Sequence, residues 1–326
     1  MKKVLIILVT VLLVLTSVIS SFAQDDTNAE KKIMFINVMR SLEFFQNIEA
    51  MVKKTSSEMG YSVDTLDVNV DYELTAEYIA QAITQRYDAI MICGDESLIS
   101  SAEEAMAAGV AVINYDAWIG TDNISARVAS DNYAMGLQMG EYAVELLKQK
   151  NGEAKGTVLY MNYTYSTLAD RAMGFVKAFE AYPDITLKEI IPTNPDDIDA
   201  SANSAENTLT ANPEGSVDIF FGPNTGTSLG ILSAAESANR KDIIVLGVDD
   251  EEGQINALLE EDGIYNATIA QDPFAIGKAC VDSLASIFDG ETGLIIAADS
   301  VLVTRDNVAE YIANRELTLE ELSDWK

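Results

Sequence analysis

Short apolar runs alternate with segments of helical periodicity along almost the whole of this chain. Residues 32–38 form an apolar run, and residues 41–60 then place apolar side chains at helical spacing before a glycine. Apolar runs separated by helices of this length predict a parallel sheet covered by helices on both faces. The alternation therefore predicts an α/β fold.

The alternating pattern of predicted strands and helices ends once and then begins again. A short strand is predicted over 125–130, a helix over 133–148 begins the second set, and the last predicted helix covers 273–288. Two sets of similar length, with no Pro/Ser-rich linker between them, predict two similar doubly wound parallel-sheet lobes in close contact. Ligands of open α/β sheets bind beyond the carboxyl ends of the strands, so residues just after each strand are the candidate site residues.

The first 30 residues predict an export signal. A basic start at residues 1–3, an apolar stretch over 4–19 and small residues before position 24 form the pattern of a signal peptide, 1–23, followed by a flexible lead-in, 24–30. The apolar stretch is shorter than the roughly 20 residues that a bilayer requires. No cysteine lies near the cleavage point. We expect a soluble protein of the periplasm, or otherwise exported, that is not a lipoprotein.

Charge and composition exclude several classes of function. The chain has 21 Lys plus Arg against 52 Asp plus Glu, no histidine and a formal net charge of −31. Without histidine there is no Ser-His-Asp triad, no Cys-His pair and no His-bearing zinc site. The charge argues against nucleic acid as a partner, because affinity there comes from cations on phosphates. Cys93 and Cys280 each sit among apolar residues, which favours two buried thiols over a disulfide.

Carboxylates, amides and aromatic residues follow the predicted strands in both halves of the chain. Acids and amides can satisfy adjacent hydroxyls, while an aromatic face covers the C–H side of a sugar ring. Each residue alone has a structural alternative, since Phe44 can belong to a core and Asp116 can cap a helix. Their shared position at strand ends favours a polyhydroxylated ligand. The candidates are Arg40, Phe44, Phe45, Asp116, Trp118, Tyr163, Tyr165, Asn224, Asp249 and Gln271.

An ordered set of short motifs adds a family resemblance. The motifs are Glu43-Phe44-Phe45, Asn114-Tyr115-Asp116, Val128-Ala129-Ser130-Asp131-Asn132, Arg171-Ala172-Met173-Gly174-Phe175, Asn224, Val245-Leu246-Gly247-Val248-Asp249 and Ala267-Thr268-Ile269-Ala270-Gln271. In this order the chain resembles the ribose-type sugar-binding proteins, the periplasmic components of ABC importers in the type I periplasmic-binding-protein superfamily. The resemblance covers nearly all of the chain after the signal peptide.

The resemblance implies two lobes that close on a monosaccharide and are joined by three hinge strands. The hinges would fall near 130–132, 271–272 and 299–300. The first lobe would then be residues 31–130 plus 272–299, and the second lobe residues 131–271 plus 300–326. A closed, loaded form would be recognised by a membrane ABC permease, and we expect the binding protein to act as a monomer without a cofactor or a bound metal.

The resemblance also implies roles for single residues. Phe44 and Phe45 match an aromatic pair beside the sugar ring, and Asp116 and Asn224 match positions that bind hydroxyls. Asp249 and Gln271 match the last two ligand contacts. Arg171, by contrast, matches a helix position to which we assign a structural role.

The departures from the family pattern concern charge and aromatic cover. Ala117 and Ala169 stand where ribose binders carry arginines, Leu42 replaces an asparagine and Ile198 replaces a stacking aromatic residue. Both arginines would have neutralised the two pocket aspartates. Three repairs stay open: Arg40 supplies the charge, the ligand is cationic or rich in hydroxyls, or metal or water fills the gap. Trp118, Tyr163 or Tyr165 can replace the aromatic face. These departures predict a sugar or sugar-like ligand other than ribose.

Three other functions compete with sugar import. A glycosidase with Asp116 and Asp249 as acid and base is conceivable, but nothing else marks a catalytic pair, so we expect no enzyme. A sensory binding protein would present a sugar or a furanosyl quorum signal to a histidine kinase or chemoreceptor, and its pocket can be identical to that of an importer. A transcription regulator would need a DNA-binding segment where this chain has its predicted signal peptide.

Overall fold

A computed structural model describes residues 31–164 and 166–326. The predicted signal peptide, the lead-in and Tyr165 lie outside these described residues. The first part of the chain contains β1 (Lys32–Asn37), α1 (Glu43–Met59), β2 (Ser62–Asp67), α2 (Tyr72–Thr84), β3 (Ala89–Ile92), a 3₁₀ turn (Glu96–Leu98), α3 (Ile99–Ala107), β4 (Ala111–Tyr115) and β5 (Ala126–Ser130).

The second part repeats this alternation and ends in a further helix. Its elements are α4 (Asn132–Asn151), β6 (Gly156–Met161), α5 (Ser166–Lys177), β7 (Ile185–Ile190), α6 (Ile198–Ala211), β8 (Ile219–Phe221), α7 (Thr225–Ser237), β9 (Ile244–Val248), α8 (Glu252–Leu259), β10 (Tyr265–Gln271), α9 (Pro273–Phe288), β11 (Leu294–Ala298), β12 (Ser300–Thr304), α10 (Val308–Glu321) and a 3₁₀ turn (Ser323–Trp325).

The strands form two six-stranded sheets of the same layout, so the predicted class of two α/β lobes is confirmed. The first sheet has the order β11-β5-β4-β3-β1-β2 and the second has β12-β10-β9-β8-β6-β7. Every neighbouring pair is parallel except β12 with β10, which is antiparallel. The exception follows from the connection, since β11 reaches the carboxyl edge of its sheet and β12 must run back from the facing edge of the other.

Helices cover both faces of each sheet and bury its apolar side chains. In the first lobe, α1 and α9 pack on one face and α2 and α3 on the other. In the second lobe, α4 and α5 oppose α6, α7, α8 and α10. Cys93 and Cys280 lie unpaired and buried in the first of these cores. Burial raises the pKa of both thiols, as expected for inert apolar packing.

The chain passes between the two sheets at three places. These are the junction of β5 with α4, that of β10 with α9, and residue 299 between β11 and β12. The helices α4 and α9 begin directly after the first two crossings. Asp131 and Asp272 cap these helices by accepting the backbone N–H of Ala134 and Ala275, each at 2.9 Å.

Two glycines let α4 and α5 touch backbone to backbone. A Cβ on Gly136 would lie 1.9 Å from the carbonyl oxygen of Arg171, and one on Gly174 would lie 2.0 Å from that of Tyr133. Any larger residue would push the helices apart. The contact therefore sets the position of the α5 turn that carries Arg171.

The helix α10 corrects the prediction that 273–288 would be the last helix. Its sequence is rich in charged residues, and of its residues only Val308 is buried, so its apolar periodicity is weak. The helix packs on the second lobe, while the turn after it, Ser323–Trp325, lies against α1 of the first lobe. Among the helices of the described residues, none has the length and apolar character that crossing a bilayer would need.

Candidate functional site

Asp116 and Asp249 occupy equivalent positions in the two lobes. Each follows the strand that stands third in its sheet, β4 or β9, and each donates its backbone N–H to the neighbouring strand, at 2.9 Å from the carbonyl oxygens of Val128 and Ile269. Both have left-handed backbone conformations, with φ of 56° and 80°. Non-glycine residues rarely adopt this conformation, and those that do cluster at functional sites.

A buried asparagine shapes the loop that carries Asp116. Asn114 is fully buried, and its side-chain amide donates to the carbonyl oxygen of Ala117 at 2.9 Å while its Oδ1 accepts the N–H of Ile119 at 3.3 Å. The chain is thereby turned sharply after β4. This turn holds the Asp116 carboxylate at the carboxyl edge of the first sheet.

Asp249 is held by groups from three other segments of the second lobe. Gln271 Nε2 donates to Asp249 Oδ1 at 2.9 Å, and the backbone N–H of Thr225 donates to Oδ2 at 3.2 Å. The guanidinium of Arg171 stands 3.5 Å from Oδ1. Gln271 in turn accepts a hydrogen bond from Ser130 Oγ at 3.0 Å, which joins two of the three crossings. The structure thus brings Asp249 and Gln271 together.

Arg171 combines the structural role that the sequence suggested with a charge that it did not suggest. The residue is 5% exposed, and it donates to Asn132 Oδ1 and to the carbonyl oxygen of Pro223, each at 2.8 Å. The same guanidinium faces Asp249 across 3.5 Å. The arginine stands in one of the motifs of the family resemblance, but no pattern in the sequence indicates that it lies beside Asp249.

The electrostatics of Asp116 link the two lobes. Burial raises the pKa of Asp116 to about 6; Arg171 opposes this rise, and Asp249 adds to it. Arg171 and Asp249 both belong to the second lobe. The charges of the second lobe therefore reach the carboxylate of the first lobe, and both aspartates lie at the carboxyl edges of their sheets.

Asn224 caps α7 and also reaches a carboxylate that sequence analysis missed. Its Oδ1 accepts the N–H of Thr227 at 3.0 Å, and its Nδ2 donates to Asp196 Oδ1 at 2.9 Å. Burial is the main cause that raises the pKa of Asp196, and the nearby charge of Asp249 adds to it. Asp196 therefore belongs to the same group of side chains, although it follows no strand directly.

The aromatic pair lies in the first turn of α1. The rings of Phe44 and Phe45 meet edge to face at 5.2 Å between centroids, and Phe45 meets Tyr115, the residue before Asp116, at 6.5 Å. Both phenylalanines are half-buried against the first-lobe core. The three rings thus form one aromatic group at the end of β4.

The remaining predicted residues lie in other surroundings. Arg40 pairs with Glu49, through Nε at 2.9 Å and Nη2 at 3.2 Å, and Lys53 pairs with the same carboxylate at 2.7 Å, so Arg40 is engaged on its own lobe. Trp118 packs against the core beneath α2 and α3, and its ring lies 4.6 Å from the guanidinium carbon of Arg127. Tyr163 is half-buried just after β6, with its N–H on Asn162 Oδ1 at 2.8 Å. Their roles in binding stay predictions, as does that of Tyr165.

Two cavities flank the C-terminal helix beside this group of residues. One, of about 360 Å³, is lined by Gln271, Asp272 and residues of α10. The other, of about 390 Å³, lies between the lobes and is lined by Glu43 and Phe44 on one side and by Asp250 and α10 on the other. In the described part of the chain, no group of three acidic or cysteine side chains is placed to hold a metal ion.

The arrangement is suited to holding a small polar molecule. Strand ends of both lobes carry carboxylates, two amide side chains donate to carboxylates of the second lobe, and a pair of aromatic rings packs beside the residue that precedes the first-lobe aspartate. Hydroxyl or amine groups can bond to the oxygens while an apolar ring face rests on the aromatic surface.

Comparison with known proteins agrees with the fold. The ribose import binding protein of Escherichia coli strain K12 is 28% identical over 290 residues, which cover 85% of this chain and 92% of that protein. The ribose import binding protein of Bacillus subtilis strain 168 is 28% identical over 303 residues, covering 89% and 95%. The crystal structure of a periplasmic ribose ABC transporter protein from Conexibacter woesei superposes with a TM-score of 0.80 at 20% identity, covering 87% of this chain and 95% of that chain.

A family model provides the assignment. The model described as "Periplasmic binding protein domain" matches residues 33–292, which include most of both lobes and the whole group of strand-end residues. The two-lobed sheets and the match over most of the chain agree. This chain therefore belongs to the periplasmic binding protein family.

Proposed function

We propose that this protein is exported, captures a monosaccharide or sugar-like ligand between its two lobes, and delivers it to a membrane ABC permease without chemical change. The observation that carries the proposal is the pair of aspartates at equivalent strand ends, Asp116 in one lobe and Asp249 in the other, whose charges interact. The named relatives, import binding proteins for ribose, support the class of ligand and the delivery step.

Closure follows from the division of the site between the lobes. The first lobe supplies Phe44, Phe45 and Asp116, and the second supplies Asn224, Asp249 and Gln271. A ligand that bonds to both sets favours the closed form, because only that form satisfies both at once. The lobes are residues 31–130 plus 272–299 and 131–271 plus 300–326, and they turn about the three crossings.

Import is preferred to sensing for a specific reason. The named relatives are import proteins for ribose, and a protein of Actinobacillus succinogenes that is 24% identical is an import protein for D-apiose. The charge pattern around Asp116 and Asp249 supports a ligand other than ribose, since the alanines at 117 and 169 supply no counter-charge.

Calorimetry on the purified mature protein tests the proposal. A panel of neutral and amine-bearing pentoses and hexoses should contain at least one ligand that binds. Asp249→Ala should weaken the binding of that ligand by about 1–3 kcal/mol, because a buried polar group of the ligand is left unpaired. Asp122→Ala, on the exposed part of the loop after β4, is the control and should bind like the parent. Silence across the whole panel, with a folded protein, would refute a sugar ligand.

A further inference from the structure

The cleft contains more negative than positive charge. The charge of Asp249 acts on two other carboxylates, Asp116 and Asp196, and Arg171 is the cation paired with Asp249 among the described residues. Arg40, the other arginine considered for this role, is engaged by Glu49. With all four groups ionised, the balance is three negative charges against one positive charge.

The donor side chains of the site each bond to a group of the protein. Arg171 donates to Asn132 and Pro223 at 2.8 Å, Gln271 Nε2 donates to Asp249, and Asn224 Nδ2 donates to Asp196, each of the last two at 2.9 Å. No side chain of the described residues donates to Asp116, so its carboxylate oxygens are available as acceptors for a ligand. A hydroxyl group both donates and accepts, whereas an ammonium group only donates.

Position agrees with this chemistry. Asp116 and Asp249 end equivalent strands on opposite sides of the cleft, and Asp196 stands at its exposed rim beside Asn224. A cation placed between the two strand ends is attracted by both lobes and offsets their mutual repulsion on closure. A neutral ligand offers no such compensation. The acids are also not grouped as metal ligands in the described residues.

We infer, on the basis of the sugar-binding function proposed above, that the ligand is a sugar or sugar alcohol carrying a primary amine, whose ammonium group is received between Asp116 and Asp249. The ring or carbon chain then lies toward the aromatic pair Phe44 and Phe45. Asp196 contributes attraction at the entrance, where it meets the ligand before the lobes close.

Matched ligand sets test this inference. Calorimetry at pH 7.0 compares D-glucose, D-glucosamine and N-acetyl-D-glucosamine, and the corresponding galactose and mannose sets, each at low and at physiological salt. We expect at least one amino sugar to bind at least tenfold more tightly than both its neutral parent and its N-acetyl derivative, because acetylation removes the charge. Rising salt should reduce that ratio.

Isosteric variants locate the charge that is responsible. Asp116→Asn and Asp249→Asn, each checked for native circular dichroism, should reduce the ratio of amino-sugar to parent affinity at least fivefold. The ratio for the control Asp122→Asn should equal that of the unmodified protein. Neutral parents that bind as tightly as their amines would overturn the inference while the proposed function stands. An absence of binding by every sugar tested would overturn both.

Discussion

The two aspartates at the strand ends show how a single residue combines strain and charge. Asp116 and Asp249 both take left-handed backbone conformations, which aspartate tolerates better than most residues because its short side chain bonds locally. Their backbone N–H groups are nevertheless satisfied by the neighbouring strands. The sheet therefore holds both residues in a conformation that they rarely adopt alone, at the carboxyl ends of equivalent strands.

Asp116 should make the protein less stable as pH rises. Its pKa is raised from 3.8 to about 6, mainly by burial, with Arg171 opposing and Asp249 adding to the shift. The folded state then binds the proton more tightly than the unfolded state. The stability contributed by the protonated form is complete below about pH 4 and is lost as pH rises through 6, by at most about 3 kcal/mol.

Asp116→Asn tests this effect. Asparagine keeps the shape and tolerates the left-handed backbone but carries no charge. At pH 7.5 the free energy of unfolding of the variant should exceed that of the parent by about 1–3 kcal/mol, so the variant unfolds at higher urea concentration. Near pH 4 the two free energies of unfolding should converge. Asp122→Asn, at an exposed position, should follow the parent at both pH values. A gain for Asp116→Asn that is equal at pH 4 and pH 7.5 would exclude the charge as its cause.

At the scale of elements, the contact between α4 and α5 positions the buried cation. Gly136 of α4 lies against the carbonyl group of Arg171, and Gly174 of α5 lies against that of Tyr133. Glycine weakens a helix interior in isolation, so its presence here needs a packing reason, and the close approach of the backbones supplies it. The helix pair fixes the α5 turn from which Arg171 reaches Asp249.

Gly136→Ala should therefore destabilise the protein although alanine favours helix. Helix propensity alone predicts that the free energy of unfolding rises by about 1 kcal/mol. A Cβ 1.9 Å from a backbone oxygen forces the helices apart, however, so the net change should be a loss of about 2–4 kcal/mol. Urea unfolding measures this. Gly253→Ala in α8 is the matched control, because its Cβ would meet only the tip of Leu229, and it should be neutral or stabilising. Equal effects of the two substitutions would argue against close helix packing.

At the scale of the whole molecule, the end of the chain connects the two lobes. Arg315 of α10 pairs with Asp250 of its own lobe and stands 3.8 Å from Glu43 of the first lobe, while Lys326 stands 4.0 Å from the same glutamate. Glu43 precedes Phe44, and Asp250 follows Asp249. The contact thus joins the two segments that carry predicted ligand residues, at the edge of the cleft.

Glu43→Lys should favour separation of the lobes. The new cation faces Arg315 and Lys326, and this repulsion disfavours the closed form. The affinity for the ligand found by calorimetry should therefore fall about fivefold, the equivalent of roughly 1 kcal/mol. Small-angle scattering should show a larger radius of gyration without ligand. Glu58→Lys, the same charge change at the far end of α1, is the control. An affinity loss that persists undiminished in 0.5 M salt would point away from electrostatics.

Local signals in the sequence predicted much of the fold. The helix α9 was predicted with the observed limits, Pro273–Phe288, because its start carries both a capping aspartate and a proline at the first turn. The C-terminal helix was not predicted, because of its residues only Val308 is buried and polar contacts of Tyr311 and Arg315 with Asp250 help to hold it. Such contacts add nothing to the apolar periodicity of the sequence, which is weak here.

The sequence by itself determined the α/β class, the two lobes and the candidate residues at the strand ends. Hydrophobic periodicity, helix caps and the succession of strands and helices can each be read from short stretches of the chain. Only the tertiary structure decided that Arg171 faces Asp249, that Asp196 joins Asn224, and that Arg40 is engaged by Glu49. The first two join residues that are 78 and 28 positions apart, and all three depend on helix packing and rotamers that no local pattern encodes. The charge balance of the cleft, and with it the kind of ligand, is therefore a property of the folded protein.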